Sequence, residues 1–181
     1  TTSNYITDAV RLAIQIHINH PEDHLKDVNK AKEFLKASIG AGTDTDPGAS
    51  PTTLHPDGEK LLKFRDILIF TNGAGDIRKL KEKLEQAIRK SAYLREYPYV
   101  VIELTSDVVQ SQSQDYRDLF ADIEKLKVSV TDGKTPVKIR PACRRIIVAT
   151  NVAETGVTID TLKYVIETGF VKSKEYNPCW N

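Results

Sequence analysis

Between residues 144 and 169 the chain reads RRIIVATNVAETGVTIDTLKYVIETG, in which small polar side chains interrupt apolar ones at Thr150, Asn151, Glu154, Thr155, Thr158 and Asp160. A second cluster of the same kind, Thr71-Asn72-Gly73, follows the apolar run DILIF. Hydroxyls, carboxamides and backbone amides hold phosphate oxygens without reading bases, and glycine lets the backbone approach a ligand closely. Asp160, flanked by Ile159 and Leu162, is a carboxylate set in apolar surroundings. On the residues alone a plainer account is preferred: Asp160 caps a helix or turn, and Thr150-Asn151 merely ends a strand. The four histidines, His17, His20, His24 and His55, have no nucleophile or carboxylate at catalytic spacing and read as surface or helix residues. Cys143 and Cys179 form no CxxC or Cys/His pattern, so no metal site is expected and a reducing compartment is the simpler assumption.

These residues need a frame. The β-branched run 146–149 predicts a strand buried on both faces of a parallel sheet. A polar loop follows it, and a second apolar run begins at Tyr164, the arrangement at which open α/β sheets bind ligands. Residues 66–70 predict a strand, 71–77 a turn, and the stretch to about Leu94 a long helix. Its Arg78, Lys79, Lys81, Lys83, Arg89 and Lys90, interleaved with Glu82 and Glu85, read as a solvated face. Residues 99–104 predict a further strand, leading through a polar run into a short helical pattern, DYRDLFADI. Asp132-Gly133 signals a turn or hairpin before Arg144.

At the other end, Ile6, Val10, Ala13 and His17 fall on one stripe of an amphipathic helix started by Ser3, with Ala9, Leu12 and Ile16 alongside, and Pro21 stops it. A second helical pattern, Val28–Ile39, precedes residues 40–51, whose Gly, Pro, Asp and Ser content predicts a surface loop. Segment 170–178 reads as an edge strand or hairpin, where Lys172 and Lys174 could pair with phosphate but, as isolated lysines on such a strand, more often only solubilise it. Strands alternating with helices give an α/β fold: a mainly parallel central sheet with helices on both faces. Both polar loops then lie at one sheet edge, where a ligand meets Asn72 and Gly73 from one and Thr150 and Asn151 from the other.

With 181 residues, 40% hydrophobic, 28% charged and a net charge of +1, the chain reads as a single soluble domain, 1–181. Near-zero charge argues against gripping nucleic acid by bulk charge alone, so any such contact is local and geometric. No stretch is apolar enough for a membrane, no signal peptide opens the chain, and an intracellular location, cytoplasmic or nuclear, is expected. There is no methionine, even at position 1, which reads as a piece of a longer polypeptide.

The run TNVAETGVTID at 150–160, followed by VIETGF at 165–170 and YNP at 176–178, resembles motif V and its downstream segment in the DEAH-box helicases of superfamily 2, whose pattern is close to TNIAETSLTIDG, VID-G-F and YNP. Gly156-Val157 departs from the family's Ser-Leu and is similar to related viral helicases, which implies a divergent viral member with the host cytoplasm as its location. Residues 66–77 resemble motif IV, close to DILVFLTGQEEI, with Asp66, Phe70, Gly73 and Ile77 in place and Asn72 and Ala74 departing. The helix ending IQIH also resembles the one preceding motif IV, and against the family 25–64 is an insertion.

The resemblance implies a RecA-like three-layer sandwich, the second such domain of an ATP-dependent helicase that moves along single-stranded RNA or DNA. By position Thr150, Asn151, Gly73 and Asn72 would contact the sugar-phosphate chain. Asp160, supported by Thr158, would serve the ATP site through ribose or the water shell of Mg2+, and Glu154 and Thr155 would brace the loop. Phe120 matches the aromatic that stacks on adenine, although the residues themselves equally allow an ordinary core Phe. ATP and Mg2+ would be shared with a first RecA-like domain. Within these residues there is no GxxxxGK(S/T) loop, DEAH tetrapeptide or Arg-rich motif VI, so hydrolysis by this piece alone is not expected. The alternatives are a non-catalytic RecA-like module binding nucleic acid or protein and, more weakly, a small-molecule α/β enzyme.

Overall fold

The computed structural model describes residues 5–23, 27–39, 65–150 and 157–168. The loop at 40–51, the segment at 170–178, and Asn151, Glu154, Thr155, Gly156, His24, His55 and Cys179 lie outside the described residues. Helix α1 (Tyr5–Asn19) buries Ile6, Ala9, Val10, Ala13 and His17, the predicted stripe, while Leu12 is left 45% exposed. Pro21, which cannot continue the helix, opens a short 3-10 turn, Pro21–Asp23, and α2 (Val28–Ile39) follows.

Strand β1 (Asp66–Thr71) runs into α3 (Ala74–Lys90), whose apolar positions Ile77, Leu80, Leu84 and Ile88 recur at helical spacing and face inward. The predicted long helix does not continue to Leu94. It breaks at Ser91, which is extended, and whose hydroxyl accepts from the Leu94 amide to start α4 (Ala92–Glu96). The charged face is solvated except at Lys81, half-buried in an ion pair with Glu103 at 3.3 Å.

Strand β2 (Tyr99–Leu104) is followed by α5 (Ser106–Ser111), in what reads from sequence only as a polar run. The Thr105 hydroxyl caps it by accepting from the Val108 amide. Helix α6 (Gln114–Phe120) comes next, and then an antiparallel hairpin of β3 (Lys127–Val130) and β4 (Lys138–Pro141). The predicted turn sits between them, with Gly133 at φ 81°, where a side chain would be strained. Strand β5 (Arg144–Thr150) follows, and strand β6 (Leu162–Glu167) lies at the edge of the sheet among the described residues.

The main sheet has the order β2-β5-β1-β6, and every neighbouring pair is parallel. Alternation sorts its side chains into two cores. Ile67, Ile69, Ile146, Val148, Tyr99 and Val101 pack with α1, α3 and α4 on one face. Leu68, Ile147, Ala149, Ile102 and Leu104 meet Leu119 of α6 on the other, with Val157, Ile159 and Leu162 beside them. This is the three-layer, RecA-like α/β arrangement, with β5 buried at six of its seven positions.

Two of those six are arginines. Arg144 and Arg145 are 0% and 2% exposed, so the buried strand begins two residues before its apolar run. His17 is on a helix as expected but is fully buried rather than at the surface, T-shaped against Tyr99 at 5.3 Å.

Candidate nucleic-acid and nucleotide interface

Parallel pairing of β1 with β5 sets Thr71 directly beside Thr150, so the two polar loops leave the same, carboxyl, edge of the sheet. Asn72, Gly73 and Thr150 are half-buried there. Gly73 is the residue before α3 and is extended (φ −178°), a conformation any residue adopts. Lacking a side chain, it caps no amide through one, although its carbonyl accepts the Asp76 amide at 3.0 Å; the Ala74 and Gly75 amides, with the helix dipole, favour an anion. From α1 the Tyr5 hydroxyl donates to Asp76 in that first turn and lies against Thr71 and Asn72, so α1 braces the loop. Burial, and then the Asp76 acceptor, raise the Tyr5 phenol above its ordinary pKa, so it stays a donor at neutral pH.

Thr158 and Asp160 lie on the stretch leading to β6. Ile159 and Leu162 pack into the second core, yet the Asp160 carboxylate itself is exposed, which corrects the expectation of apolar surroundings. It sits in a tight turn closed by the Leu162 amide on the Ile159 carbonyl at 3.3 Å. Thr158 is likewise exposed. A pocket of about 340 Å³ opens between this stretch and the sheet, lined by Phe70, Leu104, Val157, Val165 and other apolar groups, with Glu167 at its rim. Its lining suits apolar matter, not phosphate.

Phe120 is 55% exposed, which removes the core-Phe reading; its neighbour Leu119 is the buried one. Its ring is supported edge-on by Tyr116 at 5.2 Å, leaving an aromatic surface open to a planar ligand. The direction of α6 explains where this ring sits. Near its start Asp115 accepts from the Glu103 amide toward the carboxyl end of β2, and at its end the Asp118 and Ala121 carbonyls accept from Arg145, near the beginning of β5. Phe120 is therefore near the amino edge of the sheet. Asp160 is near that edge as well, because its neighbour Thr161 donates its hydroxyl to Asp66 and accepts the Asp66 amide at 2.9 Å.

The sequence-derived site residues thus form two groups, Thr150, Asn72 and Gly73 at one edge and Asp160, Thr158 and Phe120 toward the other. Strand β1, roughly 17 Å long by its rise per residue, separates them. Sequence reasoning named Asp66 only as a motif position and missed its buried pairing at the amino edge: Asp66, 0% exposed, meets the Arg145 guanidinium at 3.3 Å and accepts the Arg145 amide at 3.2 Å. The only sequence signal was a pair of arginines abutting an apolar run.

No protein-family model matches the chain. It is 40% identical over 118 residues, 64% of its length, to proteins named "Putative RNA Helicase B962L" from the Tick/Malawi and Pig/Kenya isolates of African swine fever virus. The counterpart from the Tick/South Africa isolate is 39% identical over the same length. The chain spans 12% of each of these relatives. Among the described residues no helix is long and apolar enough to cross a membrane. With its all-parallel sheet between helical layers, the chain is a RecA-like α/β unit related to viral proteins that carry a helicase name.

Proposed function

We propose that this chain is the second RecA-like domain of a DEAH-type, ATP-dependent helicase, which holds a single strand of RNA or DNA at its carboxyl edge and closes over a nucleotide near its amino edge. One observation carries the reading. The stretch that leaves β5 at Thr150, beside Thr71, returns to Asp66 through Thr161, so a single length of chain between two strands reaches both groups of residues. A shift of that stretch is felt at both, which is a physical route from hydrolysis to strand movement.

In this reading Thr150, Asn151, Asn72, Gly73 and the first amides of α3 hold sugar-phosphate oxygens, contacts that position a strand without specifying its sequence. Phe120 offers a flat apolar surface to a base, and the exposed Asp160 carboxylate can accept from a ribose hydroxyl or from water around Mg2+. A bound Mg2+ would supply charge neutralisation at the phosphates. A first domain outside this chain provides the phosphate loop. The helicase name of the related viral proteins supports the reading at the coarser level.

The test uses the full-length protein that carries this segment. Asp160→Ala is expected to lower the ATPase kcat by about 100-fold, the order for losing a group that acts on the reacting nucleotide, while single-strand binding is retained. Thr150→Ala is expected to weaken the stimulation of ATPase by homopolymer RNA more than basal turnover. Unchanged turnover in the first variant, or equal losses in both assays for the second, contradicts the assignment.

A further inference from the structure

The two residues proposed to face the nucleotide are both exposed, and neither is held by a contact of its own with the other. What they share is a foundation. Arg145 sends Nε to the Asp118 carbonyl at 2.9 Å, one terminal nitrogen to the Ala121 carbonyl, and the other to Asp66 at 3.3 Å. Asp118 and Ala121 bracket Phe120. The same Asp66 oxygen accepts the hydroxyl of Thr161, the residue next to Asp160, and the Thr161 carbonyl in turn receives the Arg65 and Asp66 amides at 2.9 Å.

All members but Thr161, which is half-buried, are shielded from water or are backbone carbonyls. A buried ion pair of this kind adds little net stability compared with apolar packing. Its fork geometry, which lysine cannot reproduce, fixes directions instead. We infer that the buried Asp66–Arg145–Thr161 network is the positioning element of the nucleotide face, setting Phe120 and Asp160 at a fixed spacing; this rests on the function proposed above. Asp66, Arg145 and Thr161 touch no nucleotide in this scheme. They act through the residues they hold, so their loss misplaces a base-stacking ring relative to a carboxylate.

The experiment is steady-state ATPase on the full-length protein, with thermal unfolding of each variant beside it. Thr161→Val removes the hydroxyl at nearly constant volume and is expected to raise the KM for ATP about tenfold and to lower kcat about tenfold, a smaller fall than in Asp160→Ala, with the loss split between binding and turnover because ring and carboxylate are displaced rather than removed. Thr161→Ser, which keeps the hydroxyl, restores the KM. Arg145→Lys should show the same split, and if it does not fold, Thr161→Val decides alone. Should Thr161→Val leave the KM at the parent value, or lower only the thermal midpoint, while Phe120→Ala raises the KM, the network is structural and the inference fails by itself. If Phe120→Ala and Asp160→Ala both leave turnover and KM unchanged, the nucleotide face itself is wrong and the inference falls with it.

Discussion

His17 shows how a single buried side chain links the fold to solution conditions. Its Nε2 lies 2.8 Å from the Tyr97 carbonyl, which can only accept, so this nitrogen carries the proton of a neutral ring. Burial first, and the nearby Arg144 cation second, push its pKa from 6.5 down to about 3. The unfolded chain therefore takes up a proton near pH 6.5 that the folded chain refuses until about pH 3. The sign follows: His17's contribution to stability is whole above pH 6.5 and is lost as pH falls toward 3. Urea unfolding of the chain should lose about 1.4 kcal/mol per pH unit from this group through the middle of that range. His17→Gln keeps a donor for Tyr97 without a titrating ring and should flatten the curve by that amount; identical slopes would exclude His17 as the source.

At the scale of elements, the local signals that matter are hydrogen bonds too small to dominate a sequence pattern. Ser91 ends one helix and caps the next, so a charged, helix-prone stretch becomes two elements with different directions. Thr105 caps α5 within a run that is otherwise only polar. The hairpin works the other way, since Asp132-Gly133 marks it openly. Asp132 accepts from the Lys134 and Thr135 amides at 2.9 and 2.8 Å, bonds that hold its carboxyl well below the usual range. Gly133 occupies the left-handed region at φ 81° with open space around it, so Gly133→Ala meets strain but no collision. The expected cost is about 1 kcal/mol, read as a fall of ~3 °C in the thermal midpoint, with ATPase of the full-length protein unaffected. A larger loss would mean that the turn packs against something further.

The whole molecule is tied together by buried charge at the amino edge of the sheet. Asp23, 4% exposed, accepts from Arg144 of β5 at 3.4 Å, from the Tyr164 hydroxyl of β6 at 2.7 Å, and from Lys163. A turn near the start of the chain is thereby fastened to two strands more than a hundred residues away. Asp23→Ala would remove the carboxylate that faces the buried Arg144 cation, and a loss of about 3 kcal/mol on unfolding is expected. Arg140→Ala, which breaks the half-exposed pair with Glu96 at 2.6 Å, should cost only about 0.5 kcal/mol. Comparable losses in the two variants would show that Asp23 does not anchor the sheet.

The amino-acid sequence by itself determined strands β1, β2 and β5, the parallel α/β class and the common edge at which the chain leaves Thr71 and Thr150. Each depends on side-chain periodicity, or on the rule that parallel strands send their following loops to one side. Tertiary structure alone decided that Arg144, Arg145 and His17 lie inside, because their burial depends on partners at Asp23, Asp66 and Tyr97, far away along the chain. It also decided that Phe120 is exposed while Leu119 is buried, and that Asp160 ends near the edge opposite Thr150. Those positions follow from the direction of α6 and the path back to β6, which no local pattern encodes, since they are set by which distant carbonyls and carboxylates satisfy one buried guanidinium.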